Sequence, residues 1–174
     1  MPSKHRKWNY ILLTLAWFVV PTGSSYAQPP GQGAAALYHE ECASCHMAYP
    51  AELLPARSWQ RILANLDQHF GDNASLDSAT LQTLSRYLQT HSADTTGTRR
   101  ARRILRSVPA AQTPLRISQL PYIRRKHHEI PLRFIKGNSQ VRSLSNCAAC
   151  HQGAERGVFN EDTVRIPGYG RWDD

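Results

Sequence analysis

Cys-x-x-Cys-His occurs twice, as Cys42-Ala43-Ser44-Cys45-His46 and Cys147-Ala148-Ala149-Cys150-His151, and the two copies use all four cysteines of the 174-residue chain. Two thiols three positions apart can form thioether links to one porphyrin, and a histidine directly after them falls beneath the iron. The spacing reads as the attachment of two c-type haems. Cys42, Cys45, Cys147 and Cys150 are then the covalent anchors, and His46 and His151 the proximal ligands. A bare Cys-x-x-Cys also fits a zinc site or a redox dithiol, and four cysteines fit a disulfide framework. A histidine after both pairs, with no cysteine left over, argues against all three.

The N-terminus reads as a targeting segment. Lys4, Arg6 and Lys7 precede an apolar run from position 11 to 20, and Ser25-Tyr26-Ala27 offers small residues for cleavage. Residues 1–27 are expected to be a signal peptide, since the run falls short of the roughly 20 apolar residues a membrane span needs. Export to the periplasm also agrees with haem attachment, which is completed outside the bacterial cytoplasm. About 147 residues then remain, enough for one domain or two small lobes. Two covalent cofactors would supply apolar surface for such lobes to wrap, so long irregular connections are tolerable.

Charge is unevenly placed. Residues 28–98 hold three basic and seven acidic side chains, residues 99–136 eleven and one, and residues 137–174 four and five. The basic excess is confined to the middle, where Arg99, Arg100, Arg102, Arg103 and Arg106 are followed by Arg116, Arg124, Arg125 and Lys126. Two readings stand side by side: a solvated connection whose charges also meet haem propionates, or a docking patch for an acidic redox partner. Peripheral attachment to a membrane surface is a third. Nucleic acid is not expected, because no nucleic-acid motif accompanies the charge.

The pattern is helical throughout, with no strand signal of any length. Ala34 to Glu41 are good helix formers running into the first motif. Trp59, Ile62, Leu63, Leu66 and Phe70 recur at helical spacing, with His69 on the same face, Ser58 as a cap and Gly71 as a stop. A second helix spans Ser78–Thr90, with Asp77 as N-cap, a Leu81, Leu84, Leu88 stripe and His91 at its end. Residues 92–97 turn small and polar, dividing the chain into a haem-binding lobe at 28–98 and another at 99–174. Arginine-rich residues 99–106 form a short helix, and prolines 109, 114, 121 and 131 break the stretch after it. Residues 122–129 form a short helix bearing His127 and His128. The expected fold is mainly α: two small cytochrome c-like haem-binding lobes with long irregular connections.

The far side of each iron decides the chemistry, because the axial pair sets the potential and the access of small molecules. Met1 leaves with the signal segment, and Met47 directly follows proximal His46, so its tether keeps it from the opposite face of that haem and leaves it only the other haem to reach. His39, His69, His91, His127 and His128 remain. His39, three residues before Cys42, stays on the proximal side. His69 is favoured over His91 because its helix presents the fuller apolar face. His127 and His128 are neighbours about 100° apart on a helix and cannot both point inward, so one is the ligand. Two bis-histidine, low-potential electron-transfer centres are the expectation.

The stretches 41–50, 54–59 (Leu-Pro-Ala-Arg-Ser-Trp) and 69–76 (His-Phe-Gly-Asp-Asn-Ala-Ser-Leu) resemble the first half of the bacterial dihaem cytochrome c family called DHC. Residues 145–157 and 164–167 (Val-Arg-Ile-Pro) resemble its C-terminal end. The resemblance implies a periplasmic electron carrier with two bis-histidine haems, whose distal ligands are His69 and, in a segment carrying the extra His128, His127. It also implies two redox partners, a membrane cytochrome b as donor and a small monohaem, oxygen-binding cytochrome c as acceptor. The competing class is a dihaem enzyme, a peroxidase or small-molecule reductase, which would need one open iron. The chain lacks a clear acid/base constellation beside either motif, so a non-catalytic carrier is expected.

Overall fold

A computed structural model describes residues 32–172; the expected signal segment lies outside them. Helix α1 (Gln32–Cys42) runs straight into the first motif and ends on its first cysteine. Pro50 and Pro55 interrupt the next stretch of chain, leaving a single 3₁₀ turn at Ala51–Leu53 before α2 (Ala56–Leu63). Pro55, not Ser58, precedes the first turn of α2; Ser58 lies inside it, buried, with an unpartnered hydroxyl.

Trp59 and Ile62 are buried as the periodicity requires, but α2 stops well before His69. The Asn65 side chain donates to the Arg61 carbonyl at 2.8 Å, an alternative that asparagine offers a backbone and that ends a helix. A 3₁₀ turn at Leu66–Gln68 comes next, then a tight reversal through Phe70 (φ 55°) and Gly71 (φ 112°). His69 therefore sits on a turn, not on a helix face.

Helix α3 (Ser78–Thr90) is capped by Asp77, whose carboxylate accepts from the Ala79 and Thr80 amides, and Leu84 and Leu88 are its fully buried stripe. The small, polar stretch 92–97 is exposed from Asp94 to Gly97 but packed at its start. It forms α4 (Ala93–Thr96), with Ser92 and Ala93 buried; the Ala93 amide donates to the Leu54 carbonyl and the Ala56 amide to the Asp94 carboxylate. Helix α5 (Arg99–Ser107) buries Ala101 and Ile104, exposes Arg99, Arg102 and Arg106, and turns Arg100 inward onto Glu52.

One apolar core joins these elements across the midpoint of the chain, from Tyr38, Leu54, Trp59, Leu84 and Leu88 to Ile104, Val108 and Leu120. Beyond it come α6 (Pro121–Lys126), started by proline at a position where no amide is missed, and α7 (Leu132–Ile135). The second motif occupies a 3₁₀ turn at Cys147–Ala149. A two-residue hairpin, β1 (Arg165–Ile166) with β2 (Gly170–Arg171), is too short to leave a strand signal in sequence. It is tied to the motif by the Arg165 amide, which donates to the Cys150 carbonyl at 3.1 Å.

Candidate haem-binding sites

At the first motif, the imidazoles of His46 and His69 face each other with centroids 6.1 Å apart and planes 25° from parallel. His46 Nδ1 is bound to the Met47 carbonyl at 2.7 Å, which commits that nitrogen and leaves Nε2 for a metal. The reversal at residues 69–72 holds His69 in place, with the Asp72 amide donating to its carbonyl at 3.1 Å. The Arg116 guanidinium lies 4.1 Å over Phe70 and pins the outer side of that turn. Burial, and then the positive charge His46 could carry, hold His69 below the ordinary histidine range.

At the second motif, Cys147, Cys150 and His151 line a cavity of about 370 Å³ whose other walls include His127, Leu53, Ile123, Ile130 and Val164. The His127 and His151 rings are again 6.1 Å apart, here nearly perpendicular at 76°. His127 Nδ1 is committed to the Ile123 carbonyl at 2.8 Å, and His151 Nδ1 is buried without a partner. Burial, followed by the His127 and Arg100 charges, holds His151 below the ordinary range. Arg100 is not free: it pairs with Glu52 at 2.6 Å, donates to the Gly157 carbonyl, and lies 4.7 Å over Phe159, whose ring meets His151.

The other histidines are elsewhere. His91 ends α3 exposed, stacked on Tyr87 at 4.4 Å with Nδ1 on the Tyr87 carbonyl. His128 lies past the end of α6, two-thirds exposed beside Glu129. His39 is exposed on α1.

These distances fit an iron between each pair. Aromatic C–N bonds of about 1.33 Å give an imidazole radius of about 1.1 Å. Two rings 6.1 Å apart, with one nitrogen of each turned toward the other, would leave about 4 Å between those nitrogens, twice the roughly 2 Å of a metal–imidazole bond. Two axial nitrogens are all the protein need supply when a porphyrin fills the remaining positions. Among the described residues no three His, Cys, Asp or Glu side chains converge on one point, as a structural zinc would require. Cys42 and Cys147 also lack the depressed pKa of a redox dithiol's reactive thiol, since burial pushes both up to about 11.

The family model for dihaem cytochrome c matches residues 38–159. The chain belongs to the dihaem cytochrome c family. This dihaem cytochrome is 46% identical to the dihaem cytochrome c of Shewanella baltica OS155, over 80% of this chain and 98% of that one, with a TM-score of 0.68. It is 51% identical to the dihaem cytochrome c of Rhodobacter sphaeroides, over 71% of this chain and 95% of that one, with a TM-score of 0.64. A search of curated proteins found no match. Membership brings two covalently attached c-type haems and a mainly helical fold.

One residue of the dihaem cytochrome had no functional signal in sequence. Tyr49 stacks on His46 at 5.0 Å, while its hydroxyl donates to the Ser145 carbonyl at 2.7 Å, two residues before Cys147. Its own carbonyl accepts from buried Tyr38 at 2.6 Å. Tyr49 thus stitches the two motifs together, a contact between positions 96 apart that no local pattern announces.

Proposed function

We propose that the protein carries single electrons through two bis-histidine haems. One is held by Cys42, Cys45, His46 and His69, the other by Cys147, Cys150, His151 and His127. Bound there, the haems supply reversible one-electron redox chemistry. His46 with His69, and His127 with His151, would hold the two irons through paired imidazoles, which would leave no position open to peroxide or a diatomic gas. Carbonyls on the Nδ1 atoms of His46 and His127 fix each ring's tautomer and direction. Leu53, Ile123, Ile130 and Val164 give the second site an apolar wall.

The observation that carries this reading is the 6.1 Å ring separation found at both motifs. The family resemblance adds to it, and proteins of this family are generally electron carriers, typically periplasmic. On the same resemblance, the expected donor is a membrane cytochrome b and the expected acceptor a small monohaem cytochrome c. Among the described residues no helix is long and apolar enough to cross a membrane. Any membrane association through them would be peripheral and reversed by moderate salt.

The test is a visible spectrum of the isolated protein, oxidised and reduced, with and without carbon monoxide. Two low-spin haems that ignore carbon monoxide are expected. Rapid gas binding at either iron, or peroxide turnover with a reduced donor, would replace the carrier by an enzyme. His127→Ala should open one iron, whereas His128→Ala should leave the spectrum unchanged.

A further inference from the structure

Helix α5 has two faces. Ala101 and Ile104 are buried, while Arg99, Arg102 and Arg106 are exposed and Arg103 is half-buried. Arg100 is consumed internally by Glu52, and Arg102 donates to the Gly97 carbonyl. Where α5 meets α6, a second cleft of about 370 Å³ opens, lined by Arg103, Arg106, Ser107, Tyr122, Arg125 and Lys126. Among the described residues four cations and no carboxylate line it, and of these Lys126 alone pairs with an acid, Glu161. Tyr122 and Lys126 also line the cavity at the second motif, so a single layer of side chains separates the cleft from that site.

We propose that this cleft is the docking surface for an acidic redox protein, so that electrons enter or leave the molecule at the second haem. The inference rests on the electron-carrier reading and adds where exchange occurs. A concave, single-sign surface focuses field lines and steers an oppositely charged partner, raising association rates by about 10 to 10³-fold at low salt. A carboxylate-bearing face seated there brings its redox centre against the wall formed by Tyr122 and Lys126. One electron then passes between the centres, with no bond made or broken and no proton moved. A lipid surface fits less well: a helix lying in a membrane interface exposes its apolar face to insert, and that of α5 is already buried. The large exposed hydrophobic residues, such as Leu132 and Val158, line no part of the cleft.

The experiment uses the holoprotein and compares Arg103→Glu/Arg106→Glu with a charge-matched control, Arg61→Glu/Arg86→Glu, on exposed positions of α2 and α3. Poly-L-glutamate binding is measured by titration calorimetry, and oxidation of the reduced haems by hexacyanoferrate(III) by stopped flow. Both are followed at ionic strengths of about 0.01 M and about 1 M, where the screening length is about 30 Å and about 3 Å. Charge reversal takes the cleft from four positive charges to none net. It should weaken binding and slow oxidation at least about tenfold at low salt, with all proteins converging at high salt. An unchanged visible spectrum certifies the fold; if the double glutamate variant fails to assemble, Arg103→Gln/Arg106→Gln should show the same trend at smaller size. Equal losses in the control, or none in the cleft variant, would overturn the proposal. So would sedimentation of the wild type with phosphatidylserine vesicles that the cleft substitutions abolish, which would assign the surface to lipid. Carbon monoxide binding by the wild type would instead refute the carrier reading and leave the cleft measurements to stand by themselves.

Discussion

Replacing Tyr49 by phenylalanine isolates the bond that stitches the two motifs. Phenylalanine keeps the ring 5.0 Å from His46 and deletes only the hydroxyl that donates to the Ser145 carbonyl at 2.7 Å. A neutral hydrogen bond of this kind contributes about 0.5–1.5 kcal/mol net. Tyr49 is half-buried, so water can reach the freed carbonyl and the loss should be near 1 kcal/mol, or about 2–4 °C in Tm for a chain of this length. Thermal unfolding of the holoprotein at neutral pH, followed by far-ultraviolet circular dichroism, measures it. Ser145→Ala is the control: it leaves the carbonyl in place and removes only a hydroxyl 3.4 Å from Ser118. The sign with pH is fixed. Burial raises the Tyr49 hydroxyl above the ordinary tyrosine range, and only the protonated form donates. The difference between wild type and Tyr49→Phe should be complete below about pH 10 and disappear as pH climbs through the raised value. Equal melting at neutral pH, or a gap that persists undiminished in strong alkali, would refute the stitch.

Three further outcomes are expected. His69→Ala should convert one of the two haems to a form that binds carbon monoxide, visible as a change in about half of the haem absorbance, whereas His91→Ala should leave the spectrum intact and stability within about 0.5 kcal/mol. Asp77 is held below the ordinary carboxylate range by hydrogen bonds from Thr80, so its contribution to α3 is present above that range and lost as pH falls through the lowered value. Melting of the wild type between neutral pH and about pH 3 should therefore fall more steeply than that of Asp77→Asn, which keeps an acceptor without the charge. A Cβ added at Gly153 would meet Val158 Cβ at 2.6 Å and the Val158 carbonyl at 3.1 Å. Gly153→Ala should cost about 1–3 kcal/mol in urea unfolding, and an unchanged midpoint would show that the turn after the second motif gives way freely.

Features set by nearest neighbours were legible in the sequence. The Asp77 cap, the Leu84 and Leu88 stripe and the end of α1 at Cys42 all follow from residues within a few positions of one another. The helix drawn through His69 failed because apolar spacing reports burial, and Leu66 packs on the core from a 3₁₀ turn as well as it would from a helix. Asn65 and Gly71 carried the contrary signal, one by capping the Arg61 carbonyl and the other by accepting a left-handed φ. Residues 92–97 looked like a connection because they are small and polar. Small residues are also what a tight corner needs, and Thr95 and Ser92 satisfy their hydroxyls on nearby carbonyls there. The facing of His127, rather than His128, toward His151 depends on where α6 ends, and neighbouring identical residues cannot encode it.

The two ring pairs differ in one respect that ligand identity hides. Were each pair to hold an iron, the near-parallel planes of His46 and His69 would act on the same iron π orbital and lift the degeneracy of that pair, whereas the crossed planes of His127 and His151 would nearly restore it. Ferric centres held in these two ways would have different magnetic anisotropy and give separate electron spin resonance signals. Each could then be titrated by its own resonance, even where the optical bands of the pair overlap.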